Sequence, residues 1–431
     1  MFYEEYTTDW LNSRTIFYNI RTHCISDNIN ELIDPNHIVL HPEGLCNYLQ
    51  YGYSVYGQTP IEEIRFLGHD QKISKDSEGR LLIEQLDDPF ENLLGADSNP
   101  LEIIEEMDVL VNEKVEKNDC VIVPTSGGFD SRFIDSVIHD KEKVHAFTYG
   151  ISKIPSESLE VVYAKKLCEI IGLKWNEIVL GDYIRMIDEW DAIFGISTHS
   201  HGMYQMEFYL KVKKNISEAT VFSGLFGDIW AGNWDFPNIT SPDGLIQLGK
   251  SYVEHVDPSL CLIKANNEIR DKFFEDHKHK LMERNWRVLE AGRKKITLIS
   301  YLMRIPEHYG YTVWSPFLNK ELVAKMLNLD WRIKTGRKWQ VDYFRKKNLL
   351  IGELGLKCDS TNFLNNYALL KNPPKKLNIK LLGTVIKADY VEYINRQIDK
   401  RNAYELKYWY GYMVLYPLQK ILEIKEYGRK L

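Results

Sequence analysis

Short runs of alternating apolar and polar residues mark the first ninety positions of the chain. The stretch GRLLIEQL (79–86) alternates after a polar turn, and 47–67 carries aromatic and β-branched residues between turn residues. Because side chains alternate between the two faces of a strand, this pattern predicts a small β-rich unit. Turn residues and two prolines in 87–100 indicate a boundary, so we expect domains at 1–95 and 96–431.

Helical and strand-like patterns then alternate along the middle of the chain. A helical pattern begins near Pro100, and the apolar run 121–123 leads into a glycine turn, a helix and the strand-like stretches 144–150 and 174–180. Strands that alternate with helices are typical of a parallel sheet covered by helices. The sequence therefore predicts an α/β fold, a Rossmann-like parallel sheet followed by a mainly helical part over 240–431.

Composition and charge exclude several classes of protein. The 431 residues carry a net charge of −7 and so lack the basic excess of a nucleic-acid-binding protein. No apolar run approaches the ~18 residues of a membrane span, and the acidic start MFYEEYTTDW is unlike a secretory signal. Six widely spaced cysteines argue against a disulfide framework or a zinc site. We expect a soluble cytoplasmic protein without a nucleic-acid or membrane partner, and the sequence carries no signal for an oligomeric state.

The stretch CVIVPTSGGFDSRFIDSVI places two glycines between a buried strand and a helix. In parallel sheets, ligands bind where a strand ends and the next helix presents its free N–H groups. Gly127 and Gly128 let the backbone approach an anion, and Ser126 and Ser131 add hydroxyl donors. Asp130 would repel a polyphosphate unless a divalent cation lay between them, so it indicates Mg²⁺. The alternative is an ordinary turn in which Asp or Ser caps the helix.

The six residues SGGFDS resemble the SGGxDS loop of the ATP pyrophosphatases, in the form found in asparagine synthetases, β-lactam synthetases and lasso-peptide cyclases. They match neither the GxxxxGK[ST] loop nor the GxGxxG motif. HAFTYG resembles the family strand that lines the adenine pocket, ATVFSGLFGDIWAG resembles the second signature, SGxGxDExxxG, and 311–345 resembles the segment that carries a lysine before a terminal arginine. These stretches contribute Phe147, Thr148, Tyr149, Ser223, Gly224, Asp228, Gly232, Pro316, Phe317, Leu318, Lys338 and Arg345.

This resemblance implies a defined chemistry that uses ATP and Mg²⁺. Family members adenylate a carboxylate, release pyrophosphate and pass the acyl group to a nitrogen nucleophile. By resemblance, Asp130 and Asp228 would ligate Mg²⁺, and Lys338 would meet the negative charge that develops on the phosphates. The residues that would hold pyrophosphate are Ser126, Gly127, Gly128 and Ser131. Without the resemblance, Lys338 would be interpreted as a solvated lysine at a helix end.

Residues before about 95 resemble the end of the family's amino-terminal glutaminase domain. The segment is too short for the whole domain, and Met1 is followed by Phe2 instead of the cysteine that serves the family as nucleophile. Cys24 and Cys46 are internal and cannot supply a free α-amino group. We therefore expect a truncated glutaminase-like domain without activity. Free ammonia, an amine or a separate glutaminase subunit would then provide the nitrogen.

The departures from the family pattern fall at positions that the resemblance assigns to the acceptor. Ile229 replaces an acid, Leu225 replaces a glutamate or tyrosine, and 312–314 replaces an E-x-R triplet. Apolar side chains are unsuited to the charged groups of free aspartate, so we expect another small-molecule carboxylate, such as a sugar acid or a secondary-metabolite or peptide acid. Candidates for the general base are His199, His201, Tyr204 and Glu207. For any single histidine among them, a packed or surface position is the default interpretation.

Two other interpretations stay open. A catalytically degenerate nucleotide-binding protein would keep the fold without turnover. The clustered charges argue against it, because loss of turnover would remove the reason to keep them. An ATP pyrophosphatase that modifies RNA or a nucleobase predicts a CxxC motif or a basic module, and the sequence has neither.

Overall fold

The computed structural model describes residues 2–250 and 256–428. Within them the strands are β1 (Tyr6–Thr7), β2 (Phe17–Asn19), β3 (Ile25–Ser26), β4 (Ile64–Phe66), β5 (Gln71–Lys75), β6 (Leu81–Gln85), β7 (Val121–Pro124), β8 (Val144–Thr148), β9 (Lys174–Glu177), β10 (Thr220–Phe222) and β11 (Thr312–Trp314). The α-helices are α1 (Pro42–Tyr51), α2 (Phe90–Leu93), α3 (Pro100–Glu116), α4 (Phe129–Val137), α5 (Leu159–Ile171), α6 (Ile187–Phe194), α7 (Tyr204–Val212), α8 (Gly227–Ala231), α9 (Ile246–Gly249), α10 (Glu268–Leu281), α11 (Arg284–Ile299), α12 (Tyr301–His308), α13 (Lys320–Asn328), α14 (Trp331–Lys334), α15 (Lys338–Lys346), α16 (Leu364–Lys371), α17 (Ile379–Leu382), α18 (Ala388–Asp399) and α19 (Lys407–Gly428). Short 3₁₀ helices span Ile29–Leu32, Lys141–Lys143, Pro155–Glu157, Tyr183–Met186, Gly195–Ser197, Pro242–Leu245, Pro258–Leu260, Pro316–Leu318, Thr335–Arg337 and Ile351–Leu354.

Five strands form one parallel sheet in the order β11, β10, β7, β8, β9. Val121 of β7 lies opposite Val144 of β8 on one side and Thr220 of β10 on the other. The residues of β10 and the first three of β7 are buried, as expected of central strands in a sheet covered on both faces. The predicted α/β fold with a parallel sheet and a mainly helical C-terminal part is confirmed.

Two small antiparallel sheets, β1-β5-β6 and β3-β2-β4, lie in the N-terminal part of the chain. The strand-like interpretation of this region was wrong for 47–51, which lie in helix α1. Pro42 stands at the first position of that helix, and the His41 ring nitrogen Nδ1 accepts a hydrogen bond from the Gly44 N–H at 2.9 Å. Gly52 ends the helix with a φ of +78°. These caps favour a helix where the aromatic composition alone favours a strand.

The N-terminal strands and the C-terminal helices share one hydrophobic core. The Tyr48 hydroxyl in α1 donates to the Val414 carbonyl of α19 at 3.0 Å. The Trp10 indole Nε1 donates to the Leu318 carbonyl, also at 3.0 Å. The domain boundary near residue 95 stays a prediction, and the two expected domains include residues outside the described ranges.

Helix α19 is the longest among the described residues and is buried along most of its length. It continues through Pro417 without interruption. In the described ranges, no helix combines the length and hydrophobicity needed to cross a bilayer. The six cysteines are free thiols.

Candidate functional site

The loop between β7 and α4 is shaped by its first glycine. Gly127 has a φ of +70°, and a Cβ there would lie 2.5 Å from the Tyr163 Cβ of helix α5. The Ser126 N–H donates to the Ser131 Oγ, and the Gly128 N–H donates to the Ser126 Oγ, both at 3.3 Å. No side chain caps α4, so the first turn of this nine-residue helix keeps its N–H groups available at the loop.

Arg132 stabilises this loop through its guanidinium. Its guanidinium donates to the Gly127 carbonyl through Nη2 and to the Leu349 carbonyl through Nη1 at 2.9 Å. The same group lies 5.1 Å from the Phe129 ring centroid and 5.2 Å from that of Phe344. Burial lowers the pKa of Arg132 to about 10, so the side chain stays charged at neutral pH. Sequence reasoning missed Arg132, because it lies after the motif and its partners come from distant segments.

The second loop follows β10, the neighbour of β7 in the sheet. A Cβ on Gly224 would lie 3.2 Å from the Asp130 Cβ, and a Cβ on Gly227 would lie 2.8 Å from the Asp130 Cγ. The glycines of the second loop therefore make room for the aspartate of the first. Because of this interlock, Asp130 and Asp228 belong to one site although 98 positions separate them in the chain.

Asp130 has one ion-pair partner among the described residues and an oxygen that accepts no hydrogen bond from them. A quarter of its side chain is exposed, yet its Oδ1 is buried and accepts no hydrogen bond from any described residue. The nearest cation is the Arg337 guanidinium, whose Nη1 lies 3.8 Å from that oxygen. Burial and then the charge of Asp228 raise the pKa of Asp130 to about 8. The Asp228 Oδ2 accepts a hydrogen bond from the Trp234 Nε1 at 2.8 Å. Two neighbouring carboxylates, one with an orphaned buried oxygen, fit a divalent cation.

A cavity of about 510 Å³ opens beside these loops, at the carboxyl ends of β7, β8 and β10. Among its lining residues are the predicted Ser126, Gly128, Asp130, Ser131, Phe147, Thr148, Tyr149, Ser223 and Gly224. A hollow of about 370 Å³ shares Ser126, Gly128, Asp130 and Glu160 with it and adds Gly127, Asp228 and Arg337. The predicted site residues that line these two adjoining spaces are thus Ser126, Gly127, Gly128, Asp130, Ser131, Phe147, Thr148, Tyr149, Ser223, Gly224 and Asp228. The roles assigned to them stay predictions.

Lys338, which the resemblance assigns to the phosphates, lies elsewhere. Its side chain is exposed, and its Nζ donates to the Arg332 carbonyl at 3.3 Å. Arg337 takes the position beside the loop, with its guanidinium 4.5 Å from the Phe129 ring centroid. The resemblance selects the lysine of this segment and carries no signal for the preceding arginine. Gly336 and Arg337 have a left-handed backbone, with φ of +67° and +57°, which no sequence pattern predicted.

The far wall of the cavity comes mainly from α7 and the residues just before it. His201 and Tyr204 line the cavity, and the Tyr204 ring centroid lies 5.5 Å from that of Tyr149. Burial lowers the pKa of the His201 imidazole. His199 is buried behind His201, with ring centroids 5.7 Å apart.

Glu207, the remaining base candidate, has a structural position. Its Oε2 accepts hydrogen bonds from the N–H groups of Gly181 at 2.9 Å and Asp182 at 2.7 Å. Its Oε1 accepts from the Lys211 Nζ at 2.6 Å. Both carboxylate oxygens are therefore engaged, and Glu207 does not line the cavity. Of the four candidates, His201 and Tyr204 reach it.

The residues that depart from the family pattern do not line the cavity. Leu225 and Ile229 are buried in the hydrophobic core, Thr312 is exposed at the start of β11, and the Trp314 ring packs 4.7 Å from that of Phe222. The link between these substitutions and the acceptor stays a prediction. The rest of the cavity lining includes aromatic and amide side chains, namely Tyr149, Tyr204, Gln205, Tyr209, Tyr301, Asn362 and Asn365.

No protein-family model matches the chain, and no curated protein matches it. Among solved structures, the chain is similar to the NH3-dependent NAD synthetase from Campylobacter jejuni subsp. jejuni NCTC 11168, determined in complex with the nitrate ion. The sequence identity is 17%, the match covers 57% of this chain and 96% of that chain, and the TM-score is 0.24. This similarity is too low to assign a family or a substrate.

Proposed function

We propose that the protein is an ATP- and Mg²⁺-dependent carbon–nitrogen ligase. It adenylates a substrate carboxylate, releases pyrophosphate and transfers the acyl group to ammonia or an amine. The observation that carries this proposal is the junction of the SGGFDS loop with the Asp228 loop at the ends of adjacent parallel strands. Backbone donors, hydroxyls and two carboxylates line the cavity and the adjoining hollow there.

The anion-binding part of the site is the loop and the start of α4. Ser126, Gly127, Gly128 and Ser131 would hold the leaving pyrophosphate with N–H and hydroxyl donors, helped by the positive end of the helix. Arg337 lies at this loop, so we assign to it the cationic role that the resemblance gives to Lys338. A guanidinium offers paired donors that suit phosphate oxygens.

Asp130 and Asp228 would hold the Mg²⁺. The orphaned Oδ1 of Asp130 and the absence of a closer counter-charge among the described residues support this assignment. The ion would neutralise charge on the phosphate oxygens during adenylation. The end of β8, with Phe147, Thr148 and Tyr149, would receive the adenine. A hydrogen bond from the Thr148 Oγ1 to the Thr125 carbonyl ties this strand end to the loop.

The acceptor would occupy the part of the cavity beside α7. Its aromatic wall suits a sugar acid or a secondary-metabolite or peptide acid better than free aspartate. His201 lines the cavity and would take a proton from the attacking nitrogen. We propose free ammonia, an amine or the product of a separate glutaminase subunit as the nitrogen source.

The test is exchange of labelled pyrophosphate into ATP with Mg²⁺ and pools of sugar acids, amino acids and metabolite carboxylates. Hydroxylamine traps the activated acyl group as a hydroxamate. We expect exchange that depends on one class of acid, and Asp130→Asn should lower it by about 100-fold or more. Asp342→Asn, on the exposed face of α15, is the matched control and should keep full activity.

Two outcomes would contradict the proposal. Formation of ADP and phosphate would exclude adenylation. A protein that binds ATP but shows no pyrophosphate exchange with any acid pool would favour the degenerate nucleotide-binding protein. The same conclusion would follow if cells that need the protein grew equally well with the Asp130→Asn variant.

A further inference from the structure

A second cavity, of about 440 Å³, lies between the N-terminal sheets and helices α10 and α11. None of its lining residues lines the space around Asp130. One wall comes from the segments before and within β4, and the other comes from the buried faces of the two helices. The side chains that matter for its chemistry are Asn12, Tyr56, Gln58, Arg65, Phe273 and Lys294.

Several polar atoms in this cavity have no partner among the described residues. The Gln58 amide uses its Oε1 to accept from the Asn47 Nδ2 at 3.1 Å, which leaves the buried Nε2 unpartnered. The Asn12 Nδ2 donates to the Leu67 carbonyl at 2.8 Å, which leaves the buried Oδ1 unpartnered. The Nη1 of Arg65 is a third such atom. Gln58 is 1% exposed and Asn12 is 4% exposed. Buried polar groups normally have partners, so this set indicates an absent one.

Lys294 adds a buried positive charge. Its Nζ lies 3.5 Å from the Phe273 ring centroid and 4.6 Å from that of Tyr56. Glu290 would be its natural counter-ion, but the Glu290 Oε1 pairs with the Arg293 Nη1 at 3.1 Å. Burial lowers the pKa of Lys294 to about 7, so a bound anion would recover the full charge.

A cation does not suit this cavity. His69, Asp70 and Asp88 lie close enough together to suggest a metal site. Arg293 occupies that position, with bonds of 2.9 Å to both oxygens of Asp88 and an Nη2 that lies 3.8 Å from Asp70. Asp88 and Glu290 are thus paired with Arg293, whereas Arg65 and Lys294 form no ion pair with a described residue.

We propose that this second cavity binds a small organic carboxylate that also carries a hydroxyl or amino group. The carboxylate would accept from Arg65, Gln58 and Lys294, and the hydroxyl or amine would donate to the Asn12 Oδ1. Tyr56 and Phe273 would cover the carbon skeleton. These aromatic walls favour a carboxylate with a carbon skeleton over inorganic phosphate, which has no apolar part and a higher charge. The site contains no residue of the proposed ATP site and is independent of it.

The experiment uses the full chain without ATP or Mg²⁺ and the probes L-malate, succinate and inorganic phosphate. We expect about 10 mM L-malate to raise the melting temperature by about 2 °C or more. Succinate lacks the hydroxyl and should bind more weakly by calorimetry, and phosphate should be weakest. Hydrogen–deuterium exchange should slow over 54–66 when L-malate binds.

Lys294→Met keeps the apolar stem and should weaken L-malate binding by about tenfold or more. Gln58→Glu keeps the acceptor for Asn47 and places a negative charge in the cavity, so it should abolish binding. Lys278→Met changes a lysine that does not line the cavity and should leave binding unchanged.

Three outcomes would overturn the proposal. The first is that neither carboxylate raises the melting temperature, which would leave ordered water as the occupant. The second is that phosphate binds as tightly as L-malate. The third is that both cavity variants bind L-malate as tightly as the wild type. None of these outcomes bears on pyrophosphate exchange, so this proposal and the ligase proposal fail separately.

Discussion

Arg337 and Lys338 are adjacent cations with different surroundings. Arg337 lies at the loop, 3.8 Å from Asp130, whereas Lys338 is exposed and donates to a backbone carbonyl. We predict that Arg337→Met weakens binding of MgATP about tenfold, because a charge-assisted contact is worth about 1.5–3 kcal/mol. Lys338→Met should change the affinity less than about twofold. Calorimetric titration measures both, and the reverse order would restore the role that the resemblance gives to the lysine.

Lys334 should make the free energy of unfolding depend on pH. It is fully buried, its Nζ donates to the Leu327 carbonyl at 3.1 Å, and burial lowers its pKa to about 7. Between pH 10 and 7 the unfolded chain takes up a proton at this lysine before the folded protein does. The residue therefore lowers the free energy of unfolding as the pH falls from 10 to 7, and has no further effect below pH 7.

Lys334→Met should remove this contribution. We expect the variant to be more stable than the wild type by ~1–3 kcal/mol at pH 7, with the difference shrinking toward pH 10. Urea unfolding at several pH values measures it, with the exposed Lys346→Met as control. Parallel stability curves for wild type and Lys334→Met would contradict the assignment.

At this scale the sequence predicted the residues that lie within motifs. Ser126, Asp130 and Asp228 were proposed from their spacing after apolar strands, and the structure brings them to one edge of the sheet. Arg132 and Arg337 were missed because their importance depends on neighbours that only the folded chain brings together.

At the scale of elements, Gly127 couples the phosphate loop to helix α5. Alanine there would combine a positive φ with a Cβ 2.5 Å from Tyr163. We predict that Gly127→Ala lowers the free energy of unfolding by ~2 kcal/mol or more and weakens ATP binding. Gly79→Ala is the matched control, because Gly79 has a φ of +77° but no atom within 4 Å of the added Cβ. It should cost ~1 kcal/mol and leave ATP binding intact. Equal losses in both variants would exclude the contact with α5 as the cause.

Helix α11 is joined to the N-terminal part by a buried ion network. Arg293 bonds to Asp88 and Glu290. Burial alone would raise the pKa of Glu290, but the charge of Arg293 outweighs it and lowers the pKa to about 2. The stability that Glu290 contributes is therefore present above about pH 4.5 and is lost as the pH falls toward 2.

Glu290→Gln should be less stable than the wild type by ~2–3 kcal/mol at pH 7 and approach it below pH 3. Thermal unfolding across this range measures the difference. Glu353→Gln removes an exposed partner of Arg345 and should follow the wild-type curve. A constant deficit at all pH values would mean that Glu290 acts through packing and not through its charge.

The secondary-structure elements were predicted correctly where one sequence pattern dominated. The buried β-branched run of β7 and the helical spacing of α3 each gave the correct element. Helix α1 was missed because its aromatic composition favours a strand, and the capping by His41 outweighs that preference.

At the scale of the whole molecule, the N-terminal part is built into the core of the remainder. Tyr48 and Trp10 bond to carbonyls of distant helical segments, and the largest hydrophobic cluster contains residues from Phe17 to Leu422. We predict that deletion of 1–95 yields insoluble or molten protein, because it exposes apolar surface that these residues cover.

The full chain should unfold in a single transition by both tryptophan fluorescence and circular dichroism. Two separate transitions, or a soluble, cooperatively folded fragment that retains ATP binding, would establish the boundary near residue 95 as a boundary between independent domains.

The bond between Tyr48 and Val414 joins positions 366 residues apart. At ribosomal rates of roughly 5–20 residues per second, Tyr48 is made about 20–70 s before its acceptor exists. For that interval the apolar face of α1 has no final partner, although its sequence is already complete. The hydrophobic core therefore stays incomplete during most of synthesis. The yield of folded protein in cells depends on how well the apolar face of α1 is kept from aggregating until α19 leaves the ribosome.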